Sequence, residues 1–315
     1  DFKMITGEQI TNGIVKELNA GVMVRTSDLE ELLQIRTYSE MLFCIDGVRT
    51  VEGEIEEIAS ELVEGGFVEF LKARHKGKTQ FYFRIEMKGR MQLDKKSIYT
   101  KKLANELEKK SDRQLINSTS NYEIELRLIE NKKGGYHVLV KLFTLKDERF
   151  EYRRNVLSTS ISPSNAALVV RLGREYLKEE TQILDPFCGV GTMLIERHKY
   201  QKANTMYGLD TMKDAIDKAK ENTEAAHSIV HYINRNFFDF KHEYLFDEII
   251  TNAPVLTGRY EELEILDFYY KFFLQADQVL KEDGIILIHI KKDKPGFLKA
   301  MRKSGIFVLL KEYRI

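Results

Sequence analysis

The segment Ile183-Leu184-Asp185-Pro186-Phe187-Cys188-Gly189-Val190-Gly191-Thr192 runs an apolar strand into a glycine turn and the turn into a helix. It lies in a stretch that alternates helix and strand from Ser164 onward. Spacing predicts helices over 165–177, 192–198, 212–226, 261–280 and 295–304, and strands over 182–184, 205–209, 247–250, 284–290 and 306–310. Repeated β-α-β units confine a chain to a parallel, doubly wound sheet, because the crossovers are right-handed and the ligand then lies across the carboxyl ends of the strands.

The first half is built differently. Helical spacing covers 29–41, 55–62 and 97–109, and period-2 alternation covers 79–85 and 122–128. Lys132-Lys133-Gly134-Gly135 reads as a hairpin turn into a strand over 136–140. This is an α+β pattern with mixed or antiparallel strands. With 315 residues, 43% of them hydrophobic, the chain can bury about two domains. The polar stretch Leu145-Lys146-Asp147-Glu148-Arg149 places the boundary near 150, giving an α+β region over 1–150 and an α/β domain over 151–315.

The net charge of zero conceals segregation. Residues 28–69 hold 12 acids and 2 bases, and residues 72–113 hold 14 bases and 5 acids. The basic block carries Phe81, Tyr82, Phe83 and Tyr99 among its lysines and arginines. Such a block neutralises phosphates by releasing their counterions, with aromatics available to pack or stack, or else it forms the solvated faces of a helix and a hairpin. The longest apolar runs, such as Ile285 to Ile288, are far short of the ~20 residues of a membrane span, and Asp1-Phe2-Lys3 has no leader pattern, so a cytoplasmic protein off the membrane is expected. Cys44 and Cys188 lie 144 positions apart, which offers neither a disulfide framework nor a paired-cysteine metal site.

The glycine turn is not a dinucleotide loop. Such a loop reads G-x-G-x-x-G, but the third position here is Leu194, and an acid precedes the glycines. Nineteen residues beyond Gly191, the strand 206–209 ends in Asp210, where a nucleotide-type fold sets an acid to accept from ribose hydroxyls. Cys188 has no paired base in its motif and His289 reads as structural. The helix rich in Leu266, Phe268, Tyr269, Tyr270, Phe272 and Phe273 is apolar nearly all round, as a core helix is.

Asp-Pro-Phe-Cys-Gly-x-Gly-Thr at 185–192 resembles the first motif of S-adenosylmethionine (SAM)-dependent methyltransferases. The resemblance implies that Asp185, Phe187, Gly189 and Gly191 bind the cofactor, with the glycine loop passing under its methionine part and the acid helping to hold its amino end. It implies a ribose role for Asp210, followed in the next helix by the family's spaced Ala219 and Asn222. It also implies adenine contacts from the Asn236 amide oxygen and the Phe237 backbone, or from Asp239 if the alignment slips. No metal is needed, since the sulfonium supplies the leaving group.

Asn252-Ala253-Pro254-Val255 stands where the family has Asn-Pro-Pro-Tyr or a close variant. The implied catalytic residues are Asn252, also a cofactor neighbour, with Ala253 and Pro254. The Asn side chain and a backbone carbonyl accept the hydrogens of an exocyclic amine and orient its lone pair, which is catalysis by orientation. Ala253 and Val255 depart from the pattern, and the missing aromatic removes a stacking surface worth ~1–3 kcal/mol per base.

The second half looks like a class I methyltransferase of the RNA guanine-N2 type. The approach Arg153-Arg154-Asn155 and then Ser162 to Leu168 is similar to the segment that precedes the first motif in enzymes carrying a THUMP domain. The resemblance implies a ferredoxin-like plus THUMP-like RNA-binding region over 1–150, a transfer RNA (tRNA) or ribosomal RNA (rRNA) substrate and a monomer. A non-catalytic RNA-binding protein with a degenerate methyltransferase domain stays open on account of Ala253 and Val255. A DNA adenine methyltransferase shares the same chemistry, though the THUMP-like half argues against it.

Overall fold

The computed structural model describes residues 2–18, 21–256 and 258–315; Asp1, where the leader reading begins, lies outside them. The chain forms two compact units. One is Glu40–Lys146, and the other joins the described residues up to Ser39 with Asp147–Ile315. Residues 2–18 and 21–39, expected within the first-half region, therefore pack with the second half of the chain. Arg36 donates to both carboxylate oxygens of buried Glu196 at 2.8 Å, and the Tyr152 hydroxyl meets the same carboxylate at 2.7 Å.

The chain begins with α1 (Phe2–Gly7), a hairpin of β1 (Ile14–Glu17) and β2 (Val22–Arg25), and α2 (Leu29–Gln34). Asp28 caps α2, accepting from Glu31 N–H at 3.0 Å. The helix expected over 29–41 stops at Gln34, because Ile35 turns extended and the carbonyls beyond find side-chain donors instead. The Tyr38 hydroxyl donates to Leu32 O at 2.8 Å, and the Arg149 guanidinium donates to Ile35 O and Tyr38 O at 2.6 and 3.1 Å.

The unit Glu40–Lys146 contains β3 (Thr50–Val51), α3 (Ile55–Glu64), α4 (Phe67–Arg74), β4 (Phe81–Lys88), α5 (Leu93–Lys110), β5 (Leu115–Asn117), β6 (Ile124–Glu130) and β7 (Tyr136–Leu142). Its mixed sheet has the order β3-β7-β6-β4-β5, with β6 and β7 antiparallel across the expected turn and β4 parallel to both β6 and β5. Alternation on β4 buries Phe81 and Phe83 fully and exposes Tyr82. Two aromatics of the basic block thus belong to the core, and Tyr99 packs on Tyr136 at 6.2 Å between ring centroids, so of the four only Tyr82 is left on the surface. Buried Glu125 is held by Arg84 and Arg127, which also meets Glu40.

The second unit continues with α6 (Pro163–Leu172), β8 (Gln182–Asp185), α7 (Thr192–Tyr200), β9 (Thr205–Asp210), α8 (Lys213–Ala225), β10 (His231–Asn234), β11 (Phe246–Asn252), α9 (Glu262–Val279), β12 (Leu280–His289) and α10 (Lys294–Ser304). Ser162 starts α6 by accepting from Asn165 N–H at 3.2 Å, with Pro163 preset in the first turn. In its five-stranded sheet all strand pairs are parallel, in the order β10-β9-β8-β11-β12. Strand order reverses between β8 and β11, so the crevice beyond their carboxyl ends is the topological switch point where such sheets bind ligands. α9 supplies the expected core, with Tyr269, Phe272 and Phe273 buried.

The strand expected over 306–310 is not formed. A strand needs a partner for its N–H and C=O groups, and among the described residues no backbone hydrogen bond joins residues 306–310 to β12. Both line a cavity of about 1520 Å³, and Val308, Leu309 and Leu310 are exposed.

Candidate active site

β8 delivers Asp185 fully buried at its carboxyl end. Its Oδ1 accepts from the Thr251 hydroxyl at 2.6 Å and from Phe187 N–H at 3.1 Å, whereas its Oδ2 is buried without a hydrogen-bond partner. Burial, opposed by those two donors and aided by Asp210, pushes its pKa up to about 7. An orphaned carboxylate oxygen is a costly thing to bury, and an ammonium group is the ligand chemistry that satisfies it. The residue therefore fits the amino end of an amino-acid-like cofactor.

The two glycines of the loop have different reasons to be glycine. Gly189 has φ +52° and open space where a Cβ would stand, which leaves its backbone accessible to a ligand. Gly191 has φ +83°, and a Cβ there would lie 2.2 Å from the Tyr232 hydroxyl. Gly191 thus also makes room for a side chain of the protein. Tyr232 also covers Gly208 on β9 and bonds Thr223 Oγ1 at 2.7 Å. Cys188 is buried and its thiol is pushed well up by burial and by Asp185 and Asp210, so it is no nucleophile.

Asp210 ends β9. Its Oδ2 accepts from Gly189 N–H at 3.0 Å and its Oδ1 from Met212 N–H at 2.8 Å, so the acid braces the glycine loop while each oxygen keeps a further lone pair. Asn234, absent from the sequence expectations, donates from Nδ2 to Asp210 O at 2.8 Å. Buried Asn222 donates to Val190 O and Asn155 O at 3.1 and 3.0 Å, clamping α8 to the loop.

Asn236 is exposed and caps the 3-10 turn Phe237–Asp239, its Oδ1 accepting from Phe238 N–H at 3.1 Å. Asp239, the alternative adenine contact, lies within that turn and is exposed. The Phe237 ring is buried against Phe187 and Phe272, at 5.9 and 5.7 Å between centroids. Phe187 is partly buried in the same aromatic cluster, and these rings set the height of the loop through packing.

Asn252 is the last residue of β11, directly after Thr251. It is half-buried, and His289 Nδ1 lies 2.7 Å from its Oδ1. Ala253 is buried and its N–H donates to His289 O at 3.0 Å; Leu256 N–H donates to Asp293 Oδ2 at 2.8 Å. The loop holding Pro254 and Val255 is thus tied at both ends to the β12–α10 connection. The large cavity takes in Asn252, Val255 and His289 with Ser160 and Ser162, but none of Asp185, Gly189, Gly191 or Asp210. Among the described residues no group of three or more His, Cys, Asp or Glu is placed to hold a metal ion, and no helix is long and apolar enough to cross a membrane.

This sheet order, with an acid and a glycine loop at the end of β8, an acid at the end of β9 and an Asn at the end of β11, defines a SAM-dependent class I methyltransferase fold. The RMKL-like methyltransferase domain family, UPF0020, matches residues 151–313, more than half of the chain, and the chain belongs to that family. No curated protein matches it in sequence. Among solved structures, TrmN from Thermus thermophilus is similar at a TM-score of 0.58 with 16% identity, over 89% of this chain and 80% of that one. A predicted N6-adenine-specific DNA methylase from Listeria monocytogenes str. 4b F2365 gives a TM-score of 0.62 with 15% identity, over 94% and 88%. SMU.472, solved as a complex with S-adenosylhomocysteine (SAH), gives 0.63 with 13% identity, over 95% and 89%. The cofactor is SAM.

Proposed function

We propose that the protein methylates an exocyclic base nitrogen, guanine N2, in structured tRNA or rRNA. The observation that carries this reading is the place of Asn252: at the switch point, one residue beyond the Thr251 that bonds the orphaned Asp185. Asp185, Phe187, Gly189, Gly191 and Asp210 are the residues that would hold the cofactor, with Asn236 and Phe237 at its adenine end. When bound, SAM supplies an electrophilic methyl on a sulfonium. Asn252 Oδ1 then accepts a hydrogen of the target amine and the Ala253 carbonyl a second, so that the nitrogen lone pair is aimed along one line. Pro254 stiffens the loop by fixing its own φ.

The unit Glu40–Lys146 is the module that holds RNA by backbone and shape, in the manner of a THUMP domain. Within its basic block, some cations are already paired and others are not. Lys78, Arg84, Arg90, Lys109 and Arg113 are in ion pairs, whereas Lys95, Lys101 and Lys102 on α5 are exposed and make no ion pair among the described residues. The second set is available to phosphates.

The test is transfer of labelled methyl from SAM to unmodified tRNA and rRNA transcripts, followed by nucleoside analysis, with Asn252→Ala alongside. The expected product is N2-methylguanosine, lost in Asn252→Ala with SAM affinity nearly intact. Methyladenine in DNA as the product would overturn the RNA reading and favour the activity predicted for the similar protein from Listeria. Intact SAM binding without transfer to any nucleic acid would favour the non-catalytic reading raised by Ala253 and Val255.

A further inference from the structure

We propose that His289 is a positioning residue for Asn252, fixing which way its amide faces and hence where its oxygen presents a lone pair. The inference rests on the reading of Asn252 as the amine-orienting residue.

The two residues face each other across the parallel ladder, Asn252 against His289, at the ends of β11 and β12. With Asn252 Oδ1 facing His289, the 2.7 Å contact is a hydrogen bond donated by the Nδ1–H tautomer of the ring. Burial and the nearby Lys291 hold the His289 pKa below its ordinary value, which favours the neutral ring, and in the Nδ1–H tautomer Nε2 carries no hydrogen. An Asn at a strand end is otherwise free to flip its amide, which exchanges acceptor for donor at the point where the amine must bind. Donation from Nδ1–H removes that freedom, and the second lone pair of Oδ1 remains for a hydrogen of the amine. A neutral ring also puts no positive charge beside a nitrogen that becomes positive as it takes the methyl.

The same residue fixes the next position by a separate bond, since His289 O accepts from Ala253 N–H at 3.0 Å. Two successive residues of the Asn252-Ala253-Pro254-Val255 loop are therefore registered to one residue of β12. That registration acts where a rigid second proline is lacking.

The experiment compares His289→Asn, His289→Gln, His289→Leu and Asn252→Ala in the full chain, measuring SAM affinity by calorimetry and kcat and KM on unmodified RNA. Asn carries an amide N–H near the place of Nδ1, whereas Gln carries its amide farther out, near the place of Nε2. His289→Leu and His289→Gln are expected to lose kcat on the order of 10²-fold, the scale of a misplaced orienting group, with SAM affinity and KM little changed. His289→Asn is expected to recover most of that loss. Equal kcat in the Asn and Gln variants overturns the proposal, and so does full kcat in His289→Gln while Asn252→Ala is inactive. Full activity in Asn252→Ala, or none in the unaltered protein, overturns the underlying reading and the proposal with it. Should His289→Leu fail to fold, the contrast between Asn and Gln still decides.

Discussion

The Thr251 hydroxyl donates a 2.6 Å hydrogen bond to Asp185 Oδ1, and this bond joins the carboxyl ends of the two strands between which the sheet reverses its order. It occupies one oxygen of a buried acid and leaves the other without a partner. The residue next to Thr251 is Asn252, so the side chain that bonds Asp185 and the amide proposed to orient the amine sit on adjacent residues of β11.

The first prediction concerns protons at Asp185. Its pKa stands near 7 in the folded protein, against an ordinary 3.8. The folded state binds the proton more tightly, so this group's contribution to stability is full below about pH 4 and is lost as pH rises toward about 7. Asp185→Asn should flatten that slope in urea titrations run across the range. An ammonium placed on Oδ2 favours the carboxylate, so SAM binding near pH 6.5 should release a proton, seen as a dependence of the binding heat on buffer ionisation. No proton release, together with unchanged affinity in Asp185→Asn, would remove Asp185 from the amino-end role.

At Asp210 the expectation separates affinity from fold. Asp210→Ala deletes the acceptor for Gly189 N–H and Met212 N–H and any bond to ribose, and should weaken SAM by roughly 1–3 kcal/mol. Calorimetry on the variant, with its circular dichroism unchanged, checks this. Wild-type affinity would mean that the ribose meets another group.

Much of the second half was legible because β-α-β alternation and the Asp185-to-Thr192 motif are local in the chain. What was hidden depends on partners far away in sequence. Gly191 leaves room for Tyr232, and the chain beyond α2 turns extended with Arg149 taking the carbonyls of Ile35 and Tyr38. The apolar run 306–310 has strand composition but no ladder partner, and composition cannot supply one. His289 looked structural for the same reason: its meeting with Asn252 is a matter of register between strands 37 positions apart. In the first half, alternation correctly marked β4, yet two of its three aromatics, Phe81 and Phe83, face the core, since a period of 2 shows two faces without saying which is wet.

For α5, replacing Lys95, Lys101 and Lys102 together by Glu should weaken RNA binding and flatten its dependence on salt, because fewer counterions are then released. Filter binding over a range of potassium concentrations measures the slope. SAM affinity should stay as it was. An unchanged slope would make these lysines a solvated face only.

The last prediction tests what holds the switch point in place from below. Arg197 on α7 and Glu248 on β11 are both buried, joined at 2.9 Å through Nε and through Nη2, and Arg197 also donates to Lys178 O and Gln201 O. Arg197→Met leaves the Glu248 charge buried without its guanidinium and should cost about 3–5 kcal/mol in urea unfolding. Arg197→Met with Glu248→Leu removes both charges and should recover most of that loss, since a buried pair and an apolar pair of similar volume are close in stability. β11 carries Glu248 four residues before Asn252, so the single variant should also lower transfer by loosening the strand that presents the amide, and the double variant should restore it. A single variant as stable as the unaltered protein would show that water or a shifted side chain reaches Glu248, and that β11 is anchored by its neighbours β8 and β12 alone.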